Sequence, residues 1–223
     1  MTLRRRLGAV CAFATVPFLA GCGSFAPITQ PAGGFTSDAQ IASRTRSWVL
    51  PEAKSEDLLY VSDYYSVLMF SYPKGELVGT LKNFYSAAGE CVDSEGNVFV
   101  SNWRPRGVYE YAHGGTKRLA FFRTTKVGPL SCAISPTTGD LAICGSSNAV
   151  EIYKAGQQND VMFKDERMQY GTLARYDNNG DLFFLGMRVG RGQKQQLSEL
   201  KAGSSHFTSI RADSKVYVEG GLQ

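Results

Sequence analysis

The chain repeats itself with a period of about 42 residues, and this repeat constrains the fold more than any other feature. At steps of 39, 43 and 41 residues, a short apolar segment begins at Leu59, Val98, Leu141 and Leu182. At steps of 39, 42 and 47 residues, a second segment ends at Gly75, Gly114, Gly156 and Gly203. Two markers that move together along the chain indicate one structural unit repeated four times.

Each unit has the sequence pattern of short β-strands joined by tight turns. Glycine is the fourth residue of the stretches 93–97, 136–140 and 177–181, where it accepts the positive φ that a short hairpin loop requires. Residues 109–111 alternate between tyrosine and glutamate, which is the period of two of a strand. After residue 50 no helical pattern extends beyond two turns, so each period contains three or four strands.

One small sheet cannot bury both of its faces, whereas several four-stranded sheets packed radially can. The sequence therefore predicts an all-β fold, a β-propeller whose repeats span residues 49–223. A β-sandwich is the main alternative, but it does not predict a regular repeat.

The first 21 residues are predicted to be an export signal. Three arginines, at positions 4–6, precede an apolar stretch at 7–19, which is too short for a comfortable membrane span. The following Leu-Ala-Gly-Cys ends at Cys22 and resembles the lipobox of bacterial lipoproteins. The resemblance implies that Cys22 is acylated after cleavage. An ordinary secretory leader or an uncleaved anchor is the alternative.

The lipobox resemblance also implies a location in the cell envelope, outside the cytoplasm. Because Gly23 and not aspartate follows the cysteine, it implies the outer membrane if the host has two. Residues 22–48 contain several Pro, Gly, Ser and Thr, which favours a flexible tether, or else a loop along the domain surface. Three of the 24 basic residues lie in the leader, so the remaining 21 basic and 20 acidic residues nearly cancel. A near-neutral chain does not indicate a nucleic-acid partner.

Several stretches of the repeats resemble a group of uncharacterised bacterial NHL-type propeller proteins and, more distantly, gluconolactonase-like propellers. They are residues 58–63, 72–75, 91–93, 111–116 and 136–142. The resembling proteins continue with further blades, so we expect either a four-bladed ring or part of a six-bladed propeller. The resemblance predicts a fold and leaves activity open, because one fold carries many functions.

The cysteines of the mature chain, apart from Cys22, are Cys91, Cys132 and Cys144. An oxidising compartment permits disulfides. Cys132 and Cys144 flank the turn at 136–139 almost symmetrically, so we expect that they could form a disulfide across two strands. The alternative is that both are small buried thiols.

No catalytic residue is predicted, and an enzymatic role is less favoured than a binding role. The two histidines, His113 and His206, lie in turn-like stretches, and no GxSxG motif is present. Gluconolactonase-like propellers hold a divalent cation at the mouth of the channel, which implies a calcium site at Asp63, Glu90 and Asn102. The alternative is that these are polar strand ends facing water, with no cofactor.

We therefore expect a lipid-anchored, extracytoplasmic propeller that acts as a scaffold or binding module for a protein or a glycan. Aromatic residues that could line its loop face are Tyr64, Tyr65, Trp103, Tyr109 and Tyr170. The alternative function is a divalent-metal-dependent, lactonase-like hydrolase.

Overall fold

The computed structural model describes residues 46–190 and 194–211, which form four antiparallel sheets of four strands each. The predicted signal peptide and the lipid-attachment residue Cys22 lie outside the described residues. Within them the only helical segment is a 3-10 turn at Pro51–Lys54, and no helix is long and apolar enough to span a membrane. All described residues belong to one compact unit.

The strands are numbered in chain order, and each sheet is called a blade. Blade 1 has the order β1-β4-β3-β2 and contains β1 (Trp48–Val49), β2 (Leu58–Asp63), β3 (Ser66–Ser71) and β4 (Leu77–Lys82). Blade 2 contains β5 (Ala87–Val92), β6 (Val98–Asn102), β7 (Gly107–Tyr111) and β8 (Arg118–Arg123). Blade 3 contains β9 (Pro129–Ile134), β10 (Leu141–Gly145), β11 (Ala149–Tyr153) and β12 (Asp160–Lys164). Blade 4 contains β13 (Met168–Tyr176), β14 (Leu182–Arg188), β15 (Gln195–Leu200) and β16 (Thr208–Ile210).

Blades 2 to 4 are simple meanders in which each strand pairs with the next. Alternate side chains of one strand point to opposite faces, so each blade contributes to two apolar clusters. In blade 2, Val100 packs with Met69 of blade 1, whereas Phe99 packs with Ile143 of blade 3. A third cluster joins blade 3 to blade 4 around Phe184. Face-to-face packing of successive four-stranded sheets is the architecture of a β-propeller, as the repeat predicts.

The first apolar segment of each repeat does not occupy the same place in every blade. In blades 2 to 4 it forms the second strand, while β5, β9 and β13 lie at the inner edge, where successive blades meet. In blade 1 the corresponding strand, β2, is itself the sheet edge, with Leu59 and Val61 exposed. Among the described residues no apolar cluster joins blade 4 to blade 1.

Candidate functional site

Three loops from blades 1 and 2 meet at one end of the strands. They are the turn after β2 (64–65), the connection from β4 to β5 (83–86) and the turn after β6 (103–106). Because the strands alternate in direction, the turn from β7 to β8 lies at the opposite end. We call the side chains on these three loops the aromatic–arginine surface; they are Tyr64, Tyr65, Tyr85, Trp103, Arg104 and Arg106.

Backbone hydrogen bonds hold the three loops together. The Ala87 N–H donates to the carbonyl of Tyr64 at 3.1 Å, which joins the middle loop to blade 1. The Trp103 N–H donates to the carbonyl of Tyr85 at 3.1 Å, which joins the same loop to blade 2. The surface is therefore fixed before any partner arrives, which lowers the entropic cost of binding.

Asn102, predicted as a metal ligand, instead braces two of these loops. Its side chain is fully buried. Its Oδ1 accepts the N–H of Tyr85 at 2.8 Å, and its Nδ2 donates to the carbonyl of Pro105 at 3.0 Å. Both ends of the amide are thus occupied by backbone groups, which does not fit a role as a calcium ligand.

The other two predicted metal ligands also have separate roles. Asp63 closes its own turn, since its Oδ1 accepts the Tyr64 N–H at 2.7 Å. The Glu90 carboxyl lies in a cavity of about 390 Å³ beside the inner strands, and burial raises its pKa to about 7. Within the described residues no group of three or more His, Cys, Asp or Glu side chains could hold a metal ion.

The three tyrosines of the surface pack edge to face. The ring centroid of Tyr64 lies 4.7 Å from that of Tyr65, with an interplanar angle of 73°. It lies 5.4 Å from the ring centroid of Tyr85, with an interplanar angle of 64°. All three remain accessible, with exposed fractions of 46%, 61% and 38% respectively. A hydrogen bond with the Tyr85 phenol raises the pKa of Tyr64, so the Tyr64 phenol stays neutral and able to hydrogen-bond at neutral pH.

Two arginines stack on the remaining aromatic faces. The Arg104 guanidinium lies 5.2 Å from the centroid of Tyr85, and that of Arg106 lies 5.2 Å from the centroid of Trp103. The Trp103 ring also lies where a side chain at Gly128 would be, so this glycine allows the ring to pack closely. Stacking orders both guanidiniums while leaving their N–H groups accessible.

The loop that carries Tyr85 has an uncommon backbone. Asn83 has φ of 71° and Ser86 has φ of 56°, and within the described residues no other non-glycine residue has a positive φ. Such residues persist where the surrounding structure holds them, and they concentrate at functional sites. This strain marks the surface independently of its composition.

Of the other aromatic residues predicted for the loop face, neither lies on this surface. Tyr109 is buried in the cluster between blades 1 and 2. Tyr170 is exposed on β13 of blade 4. The histidines also differ from each other: His206 is exposed, whereas His113 is half-buried and its Nε2 lies 2.9 Å from the carbonyl oxygen of Glu56.

The expected Cys132–Cys144 disulfide is wrong, because the structure pairs Cys132 with Cys91. Strand β10 pairs with β9 so that Ile143 lies opposite Cys132, and Cys144 lies opposite Ser131. Adjacent positions point to opposite faces, so Cys132 and Cys144 point away from each other. The observed disulfide instead links inner strands of blades 2 and 3, and Cys144 is a buried free thiol.

The sequence patterns did not identify one structurally important acidic residue, Glu151. Glu151 is fully buried in β11. Its Oε1 accepts the N–H groups of Lys126 at 2.7 Å and Val127 at 3.1 Å, and thereby fixes the loop beside Trp103. A single acidic residue among apolar neighbours in residues 149–153 was the available signal, because buried carboxylates require such partners.

Comparisons with known proteins agree on the fold. No protein-family model matches the chain, and no curated protein matches it. Similar solved structures include that of U3-55K and that of the RRP9 WD40 repeats, each with a TM-score of 0.59 and 11% sequence identity. A protein of unknown function from Bacteroides caccae is also similar, with a TM-score of 0.51 and 16% identity.

The first two matches cover 74% of this chain and 51% and 50% of the solved chains, so this chain spans about half their length. The third covers 75% of this chain and 72% of the other. WD40 repeats fold into propellers. Together with the four four-stranded sheets, these similarities define the chain as a protein of the β-propeller class.

Proposed function

We propose that this protein is an exported, lipid-anchored binding module that holds another protein on its aromatic–arginine surface. The observation that carries the proposal is the combination of Tyr, Trp and Arg on three loops that the backbone already fixes. These three residue types dominate the binding energy of protein–protein interfaces. Preformed loops on a rigid scaffold are also the usual place for recognition.

The composition of the surface supports a binding role over a catalytic one. It presents aromatic rings and guanidiniums, but no nucleophile adjacent to a base. Asn102 and Asp63, which a lactonase-like hydrolase would use for its cation, have backbone partners instead. The WD40 similarity gives the fold alone, so the surface itself is the support for a protein partner.

A photo-crosslinking experiment tests the binding role in the host envelope. Benzoylphenylalanine replaces Tyr65 in one variant and Leu119 in another; the exposed fractions of these residues are 61% and 52%. Leu119 lies on β8, at the outer edge of blade 2, and is the matched control. We expect a discrete protein adduct from position 65 and none from position 119. Equal adducts at both positions, or none at 65, contradict the proposal.

The proposed export and lipid anchor have their own test. Export and acylation rest on the Leu-Ala-Gly-Cys motif, and the NHL type rests on the resemblance of the repeats. Cys22→Ser removes the thiol that would accept the lipid, so it should abolish labelling by a radioactive or clickable fatty acid and leave an unprocessed precursor. If labelling and processing are unchanged in the variant, the proposed anchor is wrong.

A further inference from the structure

Neither guanidinium of the aromatic–arginine surface is neutralised within the part of the chain that the structure describes. Arg104 and Arg106 form no ion pair with a carboxylate there. Their guanidiniums stack on the rings of Tyr85 and Trp103. Each therefore presents a planar set of N–H donors that matches the two oxygens of a carboxylate.

The surrounding loops add further positive charge. The Thr124 N–H donates to the carbonyl of Arg106 at 3.2 Å, which brings the loop after β8 next to the surface. Arg123 and Lys126 of that segment are both exposed. The three loops and the segment next to them thus carry four exposed cations.

Two carboxylates lie on or directly beside these loops, and both have local partners. Asp63 accepts the Tyr64 N–H, as described above, and the Ser66 hydroxyl lies 3.4 Å from its Oδ2. Glu151 lies beneath the loop after β8, fully buried, and accepts backbone N–H groups. Four exposed cations against one exposed carboxylate leave the surface with a positive potential, which attracts a partner of opposite charge.

The stacking geometry also distinguishes a peptide from a neutral sugar. Neutral sugars need the open face of an aromatic ring, but one face of Tyr85 and one of Trp103 carry guanidiniums. The Tyr64 and Tyr65 rings meet at 73°, so they form a notch and not a flat platform. A notch of phenol rings accepts an apolar or aromatic side chain, while the guanidiniums bind carboxylates.

We propose that the partner segment is an acidic polypeptide that combines carboxylates with an aromatic or apolar side chain. This inference rests on the proposed binding function. The carboxylates pair with Arg104 and Arg106, and the apolar side chain packs against the corner that the Tyr64 and Tyr65 rings form. The inference thus specifies the chemical class of the partner, whereas the proposed function specifies only that the partner is a protein.

The test uses fluorescence anisotropy with a labelled glutamate–tyrosine copolymer as the probe. The comparison probes are a lysine–tyrosine copolymer, dextran and phosphatidylglycerol vesicles. We expect binding of the glutamate–tyrosine copolymer that weakens as salt is raised. The double variant Arg104→Gln with Arg106→Gln should weaken this binding by about tenfold or more.

The matched control is Arg118→Gln. Arg118 is exposed and also stacks on a tyrosine, 3.7 Å from the centroid of Tyr109, but it lies on β8 outside the surface. This variant should change the affinity by less than about twofold, and both variants should keep the wild-type Tm because the arginines are exposed.

The inference is overturned by equal losses in the double variant and the control, by dextran binding that equals copolymer binding, or by vesicle binding without copolymer binding. If the copolymer does not bind while position 65 still forms an adduct, the acidic partner is wrong and the binding function stands. If neither is observed, both proposals fail.

Discussion

Asn102 is fully buried, and its side-chain amide holds two loops of the aromatic–arginine surface in place. Its position at a strand end, in a repeat that resembles metal-binding propellers, made it a reasonable ligand from the sequence. The structure instead places it between Tyr85 and Pro105, where it satisfies one backbone donor and one backbone acceptor. Buried polar groups need such partners, and the sequence contains no record of which backbone groups approach.

Asn102→Ala should destabilise the protein by about 3 kcal/mol, because it leaves both of these backbone groups unsatisfied. Denaturant unfolding measures the change, and calcium or a chelator should not alter it. Asn179→Ala is the control: its side chain bonds to Asp177 in an exposed turn, so the cost should stay below about 1 kcal/mol. A stability loss that depends on calcium would restore the metal site.

Glu90 should make the protein less stable as the pH rises. Burial raises its pKa from an ordinary value of 4.5 to about 7, so between these values the folded chain binds a proton that the unfolded chain has lost. The free energy of unfolding is therefore greatest below the pKa of the unfolded chain, 4.5, and falls as the pH rises through the folded pKa of about 7. The effect should reach about 2 kcal/mol at pH 8, less than the full shift because the side chain is partly exposed.

Glu90→Gln keeps a neutral side chain at every pH, so it should flatten this dependence and stabilise the protein at pH 8. Urea unfolding from pH 5 to pH 8 provides the measurement. Glu95→Gln changes an exposed turn residue and serves as the control. The assignment is wrong if the two variants have the same pH profile as the wild type.

The strands and turns could be predicted where their sequence pattern repeats, and could not be predicted where it does not. The turns at 93–97, 136–140 and 177–181 carry glycine at the same position, and the structure gives Gly96, Gly139 and Gly180 a positive φ. The inner strands β5, β9 and β13 were not predicted as such. Their sequences AAGECV, PLSCAI and MQYGTLARY share no alternation, and the pairing of each with its neighbour contains a register shift.

The disulfide between β5 and β9 should contribute to the stability of these inner strands. It closes a loop with a sequence separation of 41 residues, for which chain entropy gives roughly 4 kcal/mol. Cys91→Ala should therefore lower the Tm. The Tm of this variant should no longer change when a reducing agent is added. Thermal unfolding with and without reductant measures both effects.

Cys144→Ala is the control for the disulfide. Cys144 is buried, and burial raises its pKa to about 12, so in the native protein it should resist alkylation. The variant should keep its response to reductant. If reductant leaves the wild-type Tm unchanged, or if Cys144→Ala abolishes the response, the Cys91–Cys132 pairing is wrong.

Over the whole molecule, the repeat was sufficient to predict the propeller but not the surface that it carries. A period of about 42 residues fixes how many strands form a blade and how blades pack. The surface depends on hydrogen bonds between loops that are distant in the chain, such as Trp103 to Tyr85 and Ala87 to Tyr64. The sequence placed Tyr64, Tyr65 and Trp103 on loops, but it did not show that Tyr85 and two arginines join them.

Hydrogen–deuterium exchange tests the central claim, that this surface is where the protein binds. The protein is compared alone and in complex with the partner captured at position 65. Exchange should slow in residues 63–66, 83–87 and 102–106 and stay unchanged in the turns at 72–76 and 112–117, which lie at the other end of the strands. Protection of those opposite turns with no change in the three loops would contradict the account.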